Sequence, residues 1–284
     1  MDRILFGDNQ FFGVNHMSEE KARAQAMKFR DSESIMKVLD TAYDMGIKTF
    51  MCTTHDLISE ICDVVRENPN RYPDFKFYPG MPYAHKYANA VTEEGIFGAL
   101  KKFTSGSMIG TIFKGGEALA TQDVVGLMKL LVDAEMKMFQ GLNIEVIFIQ
   151  NVLVDLLLGL GMKKVFIEYA KYIKEKYKAE PGFFSMNLPL LVDTLEECDI
   201  ENPIICSSIN KIGFRMCGGV EKYEEYIKTK KIRPIAMSIL ASGALRPKEA
   251  VEYVCGLKNI ESIVFGASSP NHIAQTKELI EQYS

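Results

Sequence analysis

The chain has no tryptophan, only four histidines, and no Cys-x-x-Cys pair among its six cysteines. Cys52, Cys62, Cys198, Cys206, Cys217 and Cys255 show no paired close spacing, so they outline neither a zinc site nor a disulfide framework and read as reduced thiols of a cytoplasmic protein. No apolar run approaches the ~20 residues of a membrane span, and the amino terminus lacks the long apolar region of a secretion signal. Charges of both signs are interspersed around a net charge of −4, with no basic stripe for nucleic acid. No glycine fingerprint follows the first apolar run, which disfavours an open dinucleotide-binding sheet. Linker-like composition is also missing, so the 284 residues read as one domain with ample core, 47% hydrophobic and 25% charged.

What is present is an alternation of apolar runs and amphipathic segments. Strands are expected at 3–7, 47–54, 75–78, 144–150, 183–187, 204–210, 232–240 and 262–267. Helices are expected at 32–45, with Ser32 as N-cap, and at 57–67, 121–139, 155–176, 188–198 and 220–230, with one more after each of the last two strands. Unbroken apolar runs joined by helices describe buried parallel strands, and eight such units describe a closed (β/α)8 TIM barrel filling residues 1–284. One connection is unusually long, from Pro79 to about Ala118, with a helix expected at 86–103. An insertion of that length after a barrel strand covers an active site or binds a partner.

The polar residues past the strands are the candidates for chemistry. His16, His55 and His85 follow strands one, two and three, and Asp8 and Asp56 share those places. Loops at the carboxyl ends of adjacent strands converge, so these groups are expected either to form a His/Asp cluster for a divalent metal or proton transfer, or to cap their loops. Asn9 and Gln10, beside Phe11 and Phe12, suit substrate orientation, as do Tyr83 in the long connection and Gln150, Asn187 and Asn210 at later strand ends. Lys211 and Arg215 would neutralise an anionic substrate or stand as solvated cations. Cys52, Cys206 and the methionines of 127–138 read as core. Small residues after strand seven (Ala241, Ser242, Gly243) and strand eight (Ala267, Ser268, Ser269) leave backbone N–H groups and helix starts open to a phosphate-sized anion.

Met237-Ser238-Ile239-Leu240-Ala241-Ser242-Gly243-Ala244-Leu245 resembles the Tyr-Ser-Pro-Leu-Ala-x-Gly-Leu-Leu segment of the aldo-keto reductases. Phe265-Gly266-Ala267-Ser268-Ser269-Pro270 is similar to their Pro-Gly-Ala-x-x-Pro segment, and weaker likenesses occur at Leu39 to Ile47, Gly182 to Asn187 and Ile204 to Asn210. The resemblance implies a (β/α)8 barrel in which Ser238, Ser242, Gly243, Gly266, Ala267, Ser268 and Ser269 bind the pyrophosphate and adenosine end of NAD(P)H. It also locates that family's catalytic Asp, Tyr, Lys and His at Met51, near Asp56, near Gly80 or Met81, and at Gln150; none of the four is retained. Ser268 and Ser269 stand where an Arg or Lys often holds the NADP 2′-phosphate.

Three readings follow. The first is a divergent barrel enzyme acting on a small polar metabolite, phosphorylated or not, with His55, Asp56, His16, His85 and Asp8 supplying acid-base or metal-assisted chemistry of the lyase, isomerase or hydrolase type. The second is an NAD(P)H-dependent carbonyl reductase with a different proton donor. The third is a non-catalytic binding protein that uses the long connection. All three predict a small-molecule or protein ligand rather than nucleic acid or membrane, and none fixes the oligomeric state.

Overall fold

The computed structural model describes residues 1–13, 19–83 and 121–284. His16, His85, the expected helix 86–103 and most of the long connection lie outside the described residues. The strands are β1 (Ile4–Gly7), β2 (Thr49–Cys52), β3 (Lys76–Met81), β4 (Val146–Ile149, preceded by the short piece Asn143–Ile144), β5 (Glu180–Ser185), β6 (Ile204–Ser208), β7 (Arg233–Met237) and β8 (Ser262–Phe265). All pair in parallel, in the order β2-β1-β8-β7-β6-β5-β4-β3, and β3 pairs back onto β2. That last pairing closes the sheet into the expected eight-stranded barrel.

The helices are α1 (Glu19–Lys28), α2 (Ser32–Asp44), α3 (Asp56–Glu67), α4 (Thr121–Met136), α5 (Asn151–Gly159), α6 (Lys163–Tyr172), α7 (Leu188–Glu197), α8 (Val220–Thr229), α9 (Pro247–Gly256) and α10 (Pro270–Tyr283). α2 shows why they form and where they pack: Ile35, Val38, Leu39, Ala42 and Tyr43 recur at helical spacing and are all buried against the barrel. Its N-cap is Asp31 rather than Ser32; the Asp31 carboxylate accepts the Ser34 N–H at 2.8 Å. The expected helix 155–176 is instead two helices, broken at Leu160-Gly161-Met162, where Gly161 takes a left-handed φ of 65°. Strand three runs on through Pro79-Gly80-Met81, and strand five lies at 180–185, earlier than its apolar run indicated.

Two apolar layers result. A large outer core lies between strands and helices, and a smaller one fills the barrel with Leu5, Met51, Tyr78, Phe148, Cys206 and Ile235 among others. Glycines make room for aromatic rings inside it: a Cβ on Gly182 would come within 2.4 Å of the Phe148 ring, and one on Gly80 within 2.8 Å of Phe184. The amino-terminal end of the barrel is closed by charge. Lys76 pairs with Asp2 and Glu145, the Tyr78 hydroxyl donates to Glu145 at 2.8 Å, and Arg233 grips Glu261 at 2.8 and 2.9 Å. With that end given over to ion pairs, the carboxyl end is the place for a site.

Candidate active site

At the carboxyl mouth, the ends of β1, β2 and β3 bring Asp8, His55 and Tyr83 into one neighbourhood. Asp8 follows β1 and is 6% exposed. Its Oδ2 accepts both the backbone N–H and the hydroxyl of Thr53, each at 2.7 Å. Burial raises its carboxyl above the ordinary value, and the Thr53 bonds offset only part of that rise. Tyr83 lies within reach of that charge: burial first, and Asp8 second, push its hydroxyl up. At neutral pH it is therefore a hydroxyl donor.

His55 is the N-cap of α3, and its Nδ1 accepts the Leu57 N–H at 3.1 Å. An accepting Nδ1 leaves the proton of the neutral ring on Nε2, making His55 an N–H donor. The ring stacks on Phe12 at 4.2 Å and meets Tyr83 edge-on at 6.0 Å, so aromatic faces hold it on two sides. His55 thus caps its helix, as one of the two expectations had it, and its ring packs between Phe12 and Tyr83. His55→Ala is expected to cost about 1 kcal/mol of stability through the lost cap, whereas His55→Asn, which can still accept the Leu57 N–H, keeps most of it. Chemical denaturation of the two variants checks this.

Asp56 is the exposed first residue of α3 and lies beside this group rather than within the buried part of it. Asn9 is exposed on a one-turn 3-10 helix, Asn9–Phe11. Gln10 is buried; its Nε2 donates to Gly7 O at 2.8 Å, and its Oε1 has no hydrogen-bond partner among the described residues. A Cβ on Gly266 would sit 1.9 Å from that oxygen, so the Gly266 Cα hydrogen points at it. Gly266→Ala is expected to displace Gln10 and cost roughly 1–3 kcal/mol by overpacking, and Gln10→Ala in the same chain is expected to recover most of the loss. Thermal unfolding of the single and double variants reads this directly.

The remaining residues separate by the partners they keep. Gln150 stands at the N-cap position just before α5 and donates from Nε2 to Gly80 O at 3.2 Å, beside the mouth. Asn187 caps α7 by accepting the Leu190 N–H, and Asn210 spends both ends of its amide on the Phe214 backbone, at 2.8 Å each. Lys211 pairs with Glu249 on the surface, and exposed Arg215 lies 5.8 Å over the Phe214 ring. Asn187 thus holds a helix end and Asn210 a loop. The turn after β7 has Ser238, Ala241, Ser242 and Gly243 at left-handed φ of 55°, 46°, 59° and 93°, with Gly243 exposed and Ser242 half-buried. After β8, Ala267 is buried, Ser268 O accepts from Lys28 Nζ at 2.6 Å, and Ser269 caps α10.

Sequence reasoning missed Glu135. This residue of α4 is 2% exposed, accepts the Thr54 hydroxyl at 2.5 Å, and shares the Tyr83 backbone N–H between its oxygens at 3.3 and 3.2 Å. Its only sequence signal is a charge on the inward side of an otherwise apolar helix face. Among the described residues no group of three His, Cys, Asp or Glu is placed to hold a metal ion, and no helix is long and apolar enough to cross a membrane. The metal expectation for His16, His55 and His85 rests on two residues that lie outside the described ones.

No protein-family model and no curated protein matches the sequence. Solved structures do match over nearly the whole chain. PA4992 of Pseudomonas aeruginosa, provisionally described as an aldo-keto reductase, aligns with a TM-score of 0.60 at 14% identity, covering 99% of this chain and 90% of its own. The aldo-keto reductase AKR11C1 from Bacillus halodurans aligns at 0.53 and 12% identity, covering 99% and 92%. A point mutant of Gox0644, solved in complex with NADPH, aligns at 0.52 and 9% identity, covering 98% and 83%. The chain is a closed (β/α)8 barrel with the fold of the aldo-keto reductases.

Proposed function

We propose that this barrel is an enzyme that transfers a proton next to the carbonyl of a small polar metabolite, an isomerase- or lyase-type step. Asp8 is the base. Tyr83 and His55 donate O–H and Nε2–H to the carbonyl oxygen as negative charge develops on it. The observation that carries the reading is the Asp8 carboxyl, buried at the mouth, with Tyr83 near enough to feel its charge and the His55 ring 6.0 Å from that of Tyr83; burial raises the carboxyl above its ordinary value. A carboxylate raised toward neutrality is a stronger base than a solvated one, and hydrogen-bond donors at the same mouth stabilise an enolate.

The test works before the natural substrate is identified. Short keto acids and small hydroxylated aldehydes and ketones are incubated with the protein in D2O, and deuterium at the carbon beside the carbonyl is followed by NMR. Protein-dependent incorporation that falls at least ~10²-fold in Asp8→Asn is expected. Incorporation into none of these compounds, or incorporation unchanged by Asp8→Asn, overturns the reading.

A second reading, NAD(P)H-dependent carbonyl reduction, draws on the left-handed turn at Ser242 and Gly243, whose shape suits an anion, and on the NADPH bound to one structural neighbour. The carbonyl end fits it poorly. Met51 belongs to the apolar filling of the barrel, and Phe184 lies over Gly80, at the two positions where the resemblance puts an Asp and a Lys. Titration with NADPH and NADH, followed by cofactor fluorescence, separates the readings, since saturable binding favours reduction.

A further inference from the structure

Glu135 is placed where an apolar residue would be expected. α4 otherwise turns Val125, Met128 and Val132 toward the barrel, all buried. A carboxylate in such a position costs several kcal/mol of desolvation unless its lone pairs are occupied. Here they are occupied by groups from two different loops: Thr54, fully buried, follows β2, and Tyr83 follows β3. Thr54 immediately precedes His55. One carboxylate on a third element therefore ties together the two loops that carry both proposed donors.

We propose that Glu135 is a positioning residue that sets the approach of the Tyr83 hydroxyl and the His55 ring to the substrate oxygen, an inference that rests on the proton-transfer reading. It touches neither substrate nor reacting atoms. It holds the Tyr83 main chain through a shared N–H bond and the chain before His55 through the Thr54 hydroxyl, and so fixes the edge-on contact of the two rings at 6.0 Å. Its role is geometric: what matters is an acceptor oxygen at this point. The amide of glutamine supplies one oxygen able to accept from Thr54 and Tyr83 together, whereas alanine supplies none.

The experiment compares wild type, Glu135→Gln and Glu135→Ala by two readouts. The first is the Tyr83 ring resonance in protein labelled with 13C-tyrosine, assigned by its loss in Tyr83→Phe. The second is deuterium exchange into the carbonyl probe that wild type processes best. Glu135→Ala is expected to move the Tyr83 resonance and to lower kcat about 10²-fold with KM little changed, the cost of misplacing a group by about 1 Å. Glu135→Gln is expected to restore both to near wild type. If Glu135→Ala does not fold, Thr54→Val, which removes only the hydroxyl, takes its place with a smaller effect in the same direction.

An unmoved Tyr83 resonance in the variant lacking the acceptor overturns the proposal. So does a Glu135→Gln variant as impaired as Glu135→Ala, because charge and not position would then be the contribution. If wild type exchanges no probe at all while the Tyr83 resonance still shifts and recovers, the proton-transfer reading falls and the placement of Tyr83 by Glu135 stands.

Discussion

Asp8→Asn is expected to abolish proton exchange and, at neutral pH, to raise the melting temperature. The two effects have one cause. Asparagine keeps an oxygen for the Thr53 N–H and hydroxyl, so the loop after β1 remains tied to the loop after β2. It removes a carboxylate whose burial raises its pKa above the ordinary 3.8. A carboxyl with a raised folded pKa binds its proton more tightly in the folded chain than in the unfolded one. Its contribution to stability is therefore full below 3.8 and is lost as pH rises through the raised value. At pH 7 the wild type carries that cost and the variant does not. The gain in melting temperature should shrink as pH falls and vanish at or below about 3.8, where both side chains are neutral. Activity should fall at least ~10²-fold over the whole range, because asparagine cannot accept the proton. A variant that is both inactive and less stable at pH 7 would make Asp8 a structural anchor instead of a base.

Gly182→Ala is expected to destabilise the barrel by about 3 kcal/mol or more, a fall of roughly 6–12 °C in Tm. The added methyl would lie 2.4 Å from two carbons of the Phe148 ring. That ring is fully buried and has Phe184 4.8 Å away and Tyr78 6.3 Å away, so it has nowhere to retreat. Phe148→Leu should relieve the clash: the double variant is expected to be more stable than the sum of the two single losses predicts, by more than ~1 kcal/mol. A Gly182→Ala Tm that differs from wild type by no more than about 1–2 °C would mean that the barrel filling yields more readily than these contacts allow. The same packing bears on function, because Phe148 and Phe184 form an apolar plug beneath the mouth and confine polar chemistry to the rim.

The barrel was legible because buried parallel strands write themselves as apolar runs, and short stretches such as Ser262 to Ala267 have no other use in a chain of this composition. Element edges were less so. Pro79 and Gly80 read as the end of strand three, yet the strand continues through them; Gly80 serves the barrel by lacking a Cβ opposite Phe184. The pair of helices α5 and α6 read as one because a helical period runs across Gly159-Leu160-Gly161, and only the left-handed Gly161 ends it. At the site, Asp8, His55 and Tyr83 were visible as polar residues just past successive strands. Asn187 and Asn210 looked the same in sequence, and what separates them is which backbone groups they meet. Glu135 was invisible for a different reason. It reaches the mouth from a helix, across 52 residues of chain from Tyr83, and nothing local to it marks that contact.

The most direct test of Asp8 as the base is the titration of its carboxyl carbon by 13C NMR, assigned by the resonance that disappears in Asp8→Asn. The expected result is a midpoint clearly above 3.8 that shifts when a carbonyl ligand binds. A midpoint at or below that value, unmoved by any ligand, would show a solvated or fully compensated carboxylate and would contradict its role as the base.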